Sequence, residues 1–378
     1  MADIDKALPN EVRKTVNVPG EEEIQEEIIE EVQAVQESPD DVEVSENEDG
    51  SVDINLDPAA ASPEGGDEHY ANLAEFLPDD VLGRLASDLS SKYQDYTSSR
   101  KDWAQTYTQG LDLLGFKYNN RTEPFSEASG ATHPVLAEAV TQFQALAYKE
   151  LLPSGGPVRT QIIGQPTPEK EEQSNRVKDF MNWQLMDQMK EYEPEFDQLL
   201  FYLPLTGSAF KKVYYDEILG RAVSKFVHAV DLVVPYSATS LEDASAVVHV
   251  VKTTQNDLRK QQVSGFYRDV DLGDPADIES DVDKKERELE GISKTNNEDV
   301  YTILEFHVDL DLEGFEDRDD EGNMTGIKLP YIVTLEEGSR EILSIRRNYE
   351  INDPLKKKIS YFVHFKFLPG LGFYGFGL

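Results

Sequence analysis

The sequence contains no cysteine. That excludes disulfides, thiolate metal sites and a cysteine nucleophile, and it fits a reducing compartment. No apolar run approaches the roughly 20 residues of a membrane-spanning helix, and the N-terminus lacks the apolar segment of a secretion signal. Both absences point to a soluble, unsecreted chain with no membrane partner. Positive charge is scarce as well: 36 Lys and Arg stand against 74 Asp and Glu, a formal net charge of −38. A field of that sign repels phosphate, which disfavours tight binding across a broad nucleic-acid surface.

The charge is unevenly placed. Between Glu21 and Glu68 there are 19 acidic residues and no Lys or Arg, so half of the excess lies in one segment. No aromatic residue precedes Tyr70. With so little apolar area to offset chain entropy, residues 1–69 are expected to form a disordered acidic arm. Ile24, Ile28 and Val32 allow a transient helix over Glu21–Val35. The arm reads as a solvated tail, or functionally as a partner-docking or charge-shielding segment.

The rest of the chain changes period once. Leu77-Pro-Asp-Asp80 opens a long helix, on which Leu82, Leu85, Leu89, Tyr93, Tyr96, Trp103, Tyr107, Leu111 and Leu114 step by three, four or seven. Its aromatic members Tyr93, Tyr96, Trp103 and Tyr107 read as core or subunit-contact residues rather than a ligand site. Asn119–Ser129 reads as a polar loop. A small-residue helix follows, with Thr132 or His133 as cap and Pro134 in its first turn, and it is expected to be buried. Pro153-Ser-Gly-Gly156 ends it and leads into an extended segment, Val158–Ile163. Thr167-Pro168-Glu169 starts a third helix running to about Tyr192, and a fourth begins at Pro194 and stops at Pro204.

From Ala209 the period is two. Strands are expected over Ala209–Tyr215, around Phe226–Val230, and over Ala246–Val251, with a short helix after Thr254. Residues 268–298 read as an acidic surface insertion with a helix over Asp283–Glu290. Leu304, Phe306, Val308, Leu310 and Leu312 alternate with Glu305, His307, Asp309 and Asp311, which predicts one buried and one wet face. Tyr331–Leu335 and Glu341–Ile345 predict a hairpin, and Ile359–Phe367 a last strand. The fold class is α+β: long N-terminal helices, then mostly antiparallel sheet. The expected organisation is an arm (1–69), a helical region (70–205), a β-rich region (206–262), an acidic insertion (263–298), an antiparallel β region (299–367) and the start of a following element (368–378). The last eight residues hold three Gly and three aromatics, a composition that predicts continuation beyond Leu378.

Catalytic signatures are sparse. There is no phosphate-binding loop, no Gly-x-Gly-x-x-Gly turn, no His-Glu-x-x-His and no Gly-x-Ser-x-Gly elbow. Of the histidines His69, His133, His228, His249, His307 and His364, the three at His249, His307 and His364 each lie in a predicted strand and stand to meet in space, or read as satisfied sheet histidines. Asp317, Asp319, Glu321 and Gly322 imitate the start of a calcium loop, but the twelfth position is Lys328 where a carboxylate ligand is needed, so the run reads as a hairpin tip. A carboxylate-metal phosphohydrolase built on Asp309, Asp311, Asp317 and Asp319 is one competing function class; a scaffold protein without a channel is another. No catalytic, cofactor or metal residue is assigned.

The order of motifs carries a resemblance. Arg100-Lys-Asp-Trp103 lies in the aromatic helix; then come Gly130-Ala-Thr-His-Pro134, Glu150-Leu-Leu-Pro-Ser-Gly-Gly156, Gly207-Ser-Ala-Phe-Lys-Lys212, Val234-Pro235, Ala246-Val-Val-His-Val-Val251, and His364-Phe-Lys-Phe-Leu-Pro-Gly-Leu-Gly-Phe-Tyr-Gly-Phe-Gly377. Over roughly residues 75–378 this resembles the N-terminal half of the portal proteins of tailed bacteriophages, most like the larger portals of short-tailed phages. The resemblance implies a ring, usually a dodecamer, at one capsid vertex of the virion, assembled in the host cytoplasm. It implies a passive, non-enzymatic conduit for double-stranded DNA, without sequence-specific binding. Its implied partners are the terminase large subunit, the major capsid protein and tail adaptors. The elements here would mainly build the wing and its approach to the stem. An acidic wall suits sliding DNA, and a ring needs heterologous interfaces, for which Tyr93, Tyr96, Trp103 and Tyr107 are the expected contacts.

Overall fold

The computed structural model describes residues 69–114, 125, 133–216, 219–276, 278–293, 300–318 and 323–378, and two short strands before them. The chain divides into two units, Met1–Glu68 and His69–Leu378. In the first, β1 (Glu43–Glu46) and β2 (Val52–Asn55) pair as an antiparallel hairpin. The expected disorder of the arm, and its helix over Glu21–Val35, otherwise lie outside the described residues, as does most of the predicted loop at 119–129.

In the second unit a 3-10 turn (Leu73–Glu75) precedes α1 (Asp79–Ser99) and α2 (Lys101–Leu113). Asp79 and Asp80 place negative charge in the first turn of α1, where the helix dipole favours it. The single long helix expected here is broken at Arg100, which ends one helix and begins the next. Then follow α3 (Val135–Leu151), α4 (Pro168–Trp183) with a π turn (Gln184–Gln188), and α5 (Tyr192–Thr206). Thr167 caps α4 as its sequence predicts, accepting from Lys170 N. Pro134 sits at the N-cap position of α3, where no side chain caps the helix.

The strands form two antiparallel sheets. One has three strands in the order β10 (Phe362–Lys366), β3 (Ser208–Asp216), β4 (Arg221–Val227). The other has five, β5 (Leu232–Val233), β6 (Ala246–Thr254), β7 (Val300–Leu310), β8 (Leu329–Glu336) and β9 (Ile342–Arg347). The 8–9 hairpin is as predicted, with a register shift between Thr334 and Leu335. Two helices complete the unit: α6 (Gln255–Val263), capped by Thr254, and α7 (Asp281–Glu290), opened by a capping box of Ser280 and Asp283.

The layers follow from side-chain parity. Leu82, Ala86 and Leu89 of α1 pack on Val248, Leu304, Phe306 and Val333 of the five-stranded sheet. The other face of that sheet was expected to be wet. It is covered instead: Leu258 of α6 lies over Tyr301 and Ile303, and the three-stranded sheet lies over Val247, His249, Glu305 and His307. Polar residues alternate with apolar ones on β7 because they pair with a second sheet, not with water. Beyond that sheet, α5 packs Leu199, Leu200 and Leu203 on Ala209, with Phe143 and Ala147 of α3 beside them. Only Val140 of α3 is fully buried, so the helix expected to be internal is half exposed.

The aromatic-glycine end folds back into this core. Leu378 N donates to Pro204 O at 2.8 Å and Gly375 N to Ser208 Oγ at 2.8 Å. Gly207 ends α5 in the left-handed conformation, φ 77°, and a Cβ on it would lie 2.4 Å from Gly375 O. A Cβ on Gly375 would lie 2.3 Å from Gly207 O. The two backbones cross at a distance only glycine permits. Gly375→Ala is accordingly expected to cost about 3 kcal/mol of stability, measured by urea unfolding, because both clashing atoms are backbone; an unchanged midpoint would contradict the crossing.

Candidate assembly surface

The aromatic stripe expected to face a neighbouring subunit packs within the chain. Tyr107 is buried, Tyr93 and Tyr96 lie against the core under α1, and Trp103 stacks on Tyr374 at 4.9 Å between ring centroids. Burial pushes the Tyr93 hydroxyl up to about 12. The helix break at Arg100 explains the arrangement. Arg100 donates to Ala229 O at 2.9 Å, to Leu232 O at 3.0 Å, to Val230 O and to the Tyr374 hydroxyl at 3.1 Å. Its guanidinium lies 5.5 Å from the Trp103 ring centroid and 5.9 Å from that of Tyr374. A planar five-donor fork matches several convergent carbonyls, which a lysine does not.

Tyr107 belongs to a second polar group. Its hydroxyl donates to Glu286 Oε1 of α7 at 2.7 Å and lies 3.3 Å from His228 Nε2. His228 Nδ1 accepts from Val230 N, so its proton sits on Nε2 and points at the Tyr107 oxygen. Burial pulls His228 down to about 3, so the ring is neutral. Asp231 lies nearby; burial, with Asp283 and Glu286 adding, pushes its carboxyl up to about 7 against the opposing Lys252 and Arg100. Lys252 meets Asp283 at 3.0 Å and Lys285 meets Asp112 at 2.6 Å, so the helix of the acidic insertion is tied to β6 and α2.

Between the sheets, Lys212 Nζ lies 2.6 and 2.7 Å from the two Glu305 oxygens, and His307 Nε2 lies 2.7 Å from Oε1. Burial alone would raise the Glu305 carboxyl; Lys212, with His307 and His249, overrides it and holds it well below the usual range. The neighbouring Lys211 points the opposite way. It is 4% exposed, with no hydrogen-bond partner, and its ammonium lies 4.2 Å from the Tyr192 ring centroid and 5.2 Å from that of Phe196. Burial pulls it down to about 8, and the ring faces replace the missing hydrogen bonds. Sequence reasoning passed over these two lysines. Adjacent cations in an otherwise apolar strand start were the available signal.

The three strand histidines do not converge. His249 and His307 both contact Phe362 edge-on, at 5.5 and 5.2 Å, whereas His364 stacks on Phe210 and Phe373. Asp317 pairs with Lys356 and accepts from Thr325 Oγ1 at the hairpin tip. Asp309 and Asp311 are exposed on and just after β7. Asp319, Glu321 and Gly322 lie outside the described residues. Among the described residues no three His, Asp or Glu side chains are grouped as metal ligands, and no helix is long and apolar enough to cross a membrane.

What the fold leaves uncovered is α4. It buries none of its side chains, and Val177, Phe180, Met181 and Trp183 are 46, 60, 42 and 46% exposed. Its extensive backbone contacts are with the π turn that follows, not with a sheet or another helix. Its C-terminal end borders a small cleft of about 190 Å³, where Phe180, Trp183 and Met189 face Tyr215 and Arg221 of the β3–β4 hairpin. A short helix in water draws its stability from burying an apolar face, and this one has that face free. Neither a scan against protein-family models nor a comparison with curated proteins returns a match for the sequence.

Two predictions follow from the buried charges. Lys212→Met strands Glu305 between the sheets and is expected to cost about 3 kcal/mol in urea unfolding; adding Glu305→Gln restores most of it, since the amide still meets His307. Asp231 has a folded pKa above its unfolded one, so it opposes folding increasingly as pH rises from about 4 to about 7. Asp231→Asn should therefore raise the melting temperature most above pH 7 and not at all near pH 4; a constant gain across that window would contradict the assignment.

Proposed function

We propose that the chain is a structural assembly subunit, a portal protein of a tailed bacteriophage. In this reading it closes with its copies into a ring at one capsid vertex, a passive conduit for double-stranded DNA driven by the terminase large subunit. The major capsid protein surrounds the ring and tail adaptors dock on it. The motif order between Arg100 and Gly377 supports the portal assignment. The observation that carries an assembly role is α4, a full helix whose apolar residues Val177, Phe180, Met181 and Trp183 lie open. Patches of aromatic and methionine side chains of this kind are typical of interface centres. The acidic balance, −38 overall, suits a conduit that lets phosphate slide and does not grip it.

Sedimentation velocity tests the reading. The chain is expected to run as a discrete higher-order species in the micromolar range. Phe180→Ser with Trp183→Ser should shift it to monomer while leaving far-UV dichroism and the melting temperature nearly unchanged, because neither side chain is buried in the subunit. A chain that stays monomeric at high concentration contradicts the proposal.

A further inference from the structure

Several sheet edges of the second unit are covered by described residues. Along β9, Asn72 accepts from Ile345 N at 3.0 Å and donates to Leu343 O at 3.1 Å, and Arg268 N also donates to Leu343 O. Along β4, Glu195 accepts from Phe226 N. At β5, Arg100 holds Leu232 O. Exposed strand edges are templates for pairing with another chain, and such covering suppresses it. β10 is covered only at its ends, where Ser360 Oγ donates to Phe362 O and Leu368 exchanges both backbone bonds with Phe376. Its bonds to β3 fall at Val363 and Phe365, continuing the pattern of Val213 N to Tyr361 O and Phe367 N to Gly207 O. The backbone groups of His364 and Lys366 therefore point outward, and no described residue bonds to them.

The chain also carries an extended segment with the complementary deficit. Val158–Ile163, predicted as extended, runs beside α4 and is held there by Asn182, which bonds both the N–H and C=O of Val158, and by Ser174 bonding Thr160 Oγ1. From Arg159 to Ile163 the backbone makes no hydrogen bond to any described residue, and Ile163 is 94% exposed. The segment is laid out as a strand by side-chain clamps but pairs with no sheet.

Building on the assembly reading, we propose that Arg159–Ile163 of one copy adds as a fourth strand to β10 of the next copy. The five residues of the segment match the five of β10. Donor and acceptor are different surfaces, so the contact is heterologous and propagates head to tail, the geometry that closes a ring. Main-chain bonds give such strand addition its affinity, and the same contact carries the open face of α4 onto the neighbour.

The cysteine-free sequence makes the test clean. One preparation carries Gln161→Cys, or Ile162→Cys to cover the other side-chain parity, and a second, differently tagged, carries Val363→Cys. Mixed and oxidised, they are expected to give a disulfide between the two tags, with none inside a single chain. Ile162→Pro removes an N–H that bonds no described residue; it should leave the melting temperature in place and weaken self-association by about tenfold or more. Oligomers that form without the mixed disulfide overturn strand addition and leave assembly standing, as does unchanged association of Ile162→Pro. A wild-type chain that never self-associates overturns both.

Discussion

The guanidinium of Arg100 is the point on which the second unit turns. It stands at the break between α1 and α2, takes three carbonyls of the 229–232 turn and the hydroxyl of Tyr374, and is enclosed by Trp103 and Tyr374. The turn it holds leads directly into β5 and the five-stranded sheet. The Tyr374 it holds belongs to the terminal aromatic-glycine segment, which crosses the end of α5 at Gly207. One side chain thus ties the first helices, the large sheet and the last residues together. Without it the carbonyls of Ala229 and Val230 lose the donor it supplies, while Leu232 O keeps the Tyr374 hydroxyl, a loss of the kind that costs far more than an exposed contact.

The next constraint is the pair Lys211 and Lys212. Strand parity sends one into an aromatic cage under α5 and the other onto Glu305 between the sheets. Each layer of the subunit is therefore pinned by a cation rather than by apolar packing alone. Buried pairs of this kind contribute little net stability, but they leave one register workable: a one-residue slip of β3 puts either Phe210 in the aromatic cage or Val213 opposite Glu305, so no slipped register places a lysine at both sites.

Much of the element order was legible in the sequence, because it rests on local signals. Thr167 and Thr254 act as caps and the period-two runs at Leu304–Val308 and Tyr331–Leu335 are strands, whereas the helix expected to stop at Pro204 carries that proline inside it and ends at Gly207. What failed was non-local. The alternation of β7 reads the same whether its polar face meets water or the Lys212 of another sheet. The helix break at Arg100 has no Gly or Pro to mark it and is set by carbonyls some 130 residues away in sequence. The stripe of Tyr93, Tyr96, Trp103 and Tyr107 was legible as apolar, but periodicity does not say whether the covering surface is the same chain or a copy. The open face at α4 was invisible for the converse reason: Val177, Phe180, Met181 and Trp183 look like core residues until the rest of the fold declines to cover them.

The account holds that a subunit closed within itself around Arg100 keeps its association surfaces on α4, the extended segment that precedes it and the edge of β10. Negative-stain electron microscopy of the purified protein tests that claim most directly. The account predicts closed rings with a central hole wide enough for a DNA duplex. Fields of monomers or irregular aggregates from folded protein would contradict it.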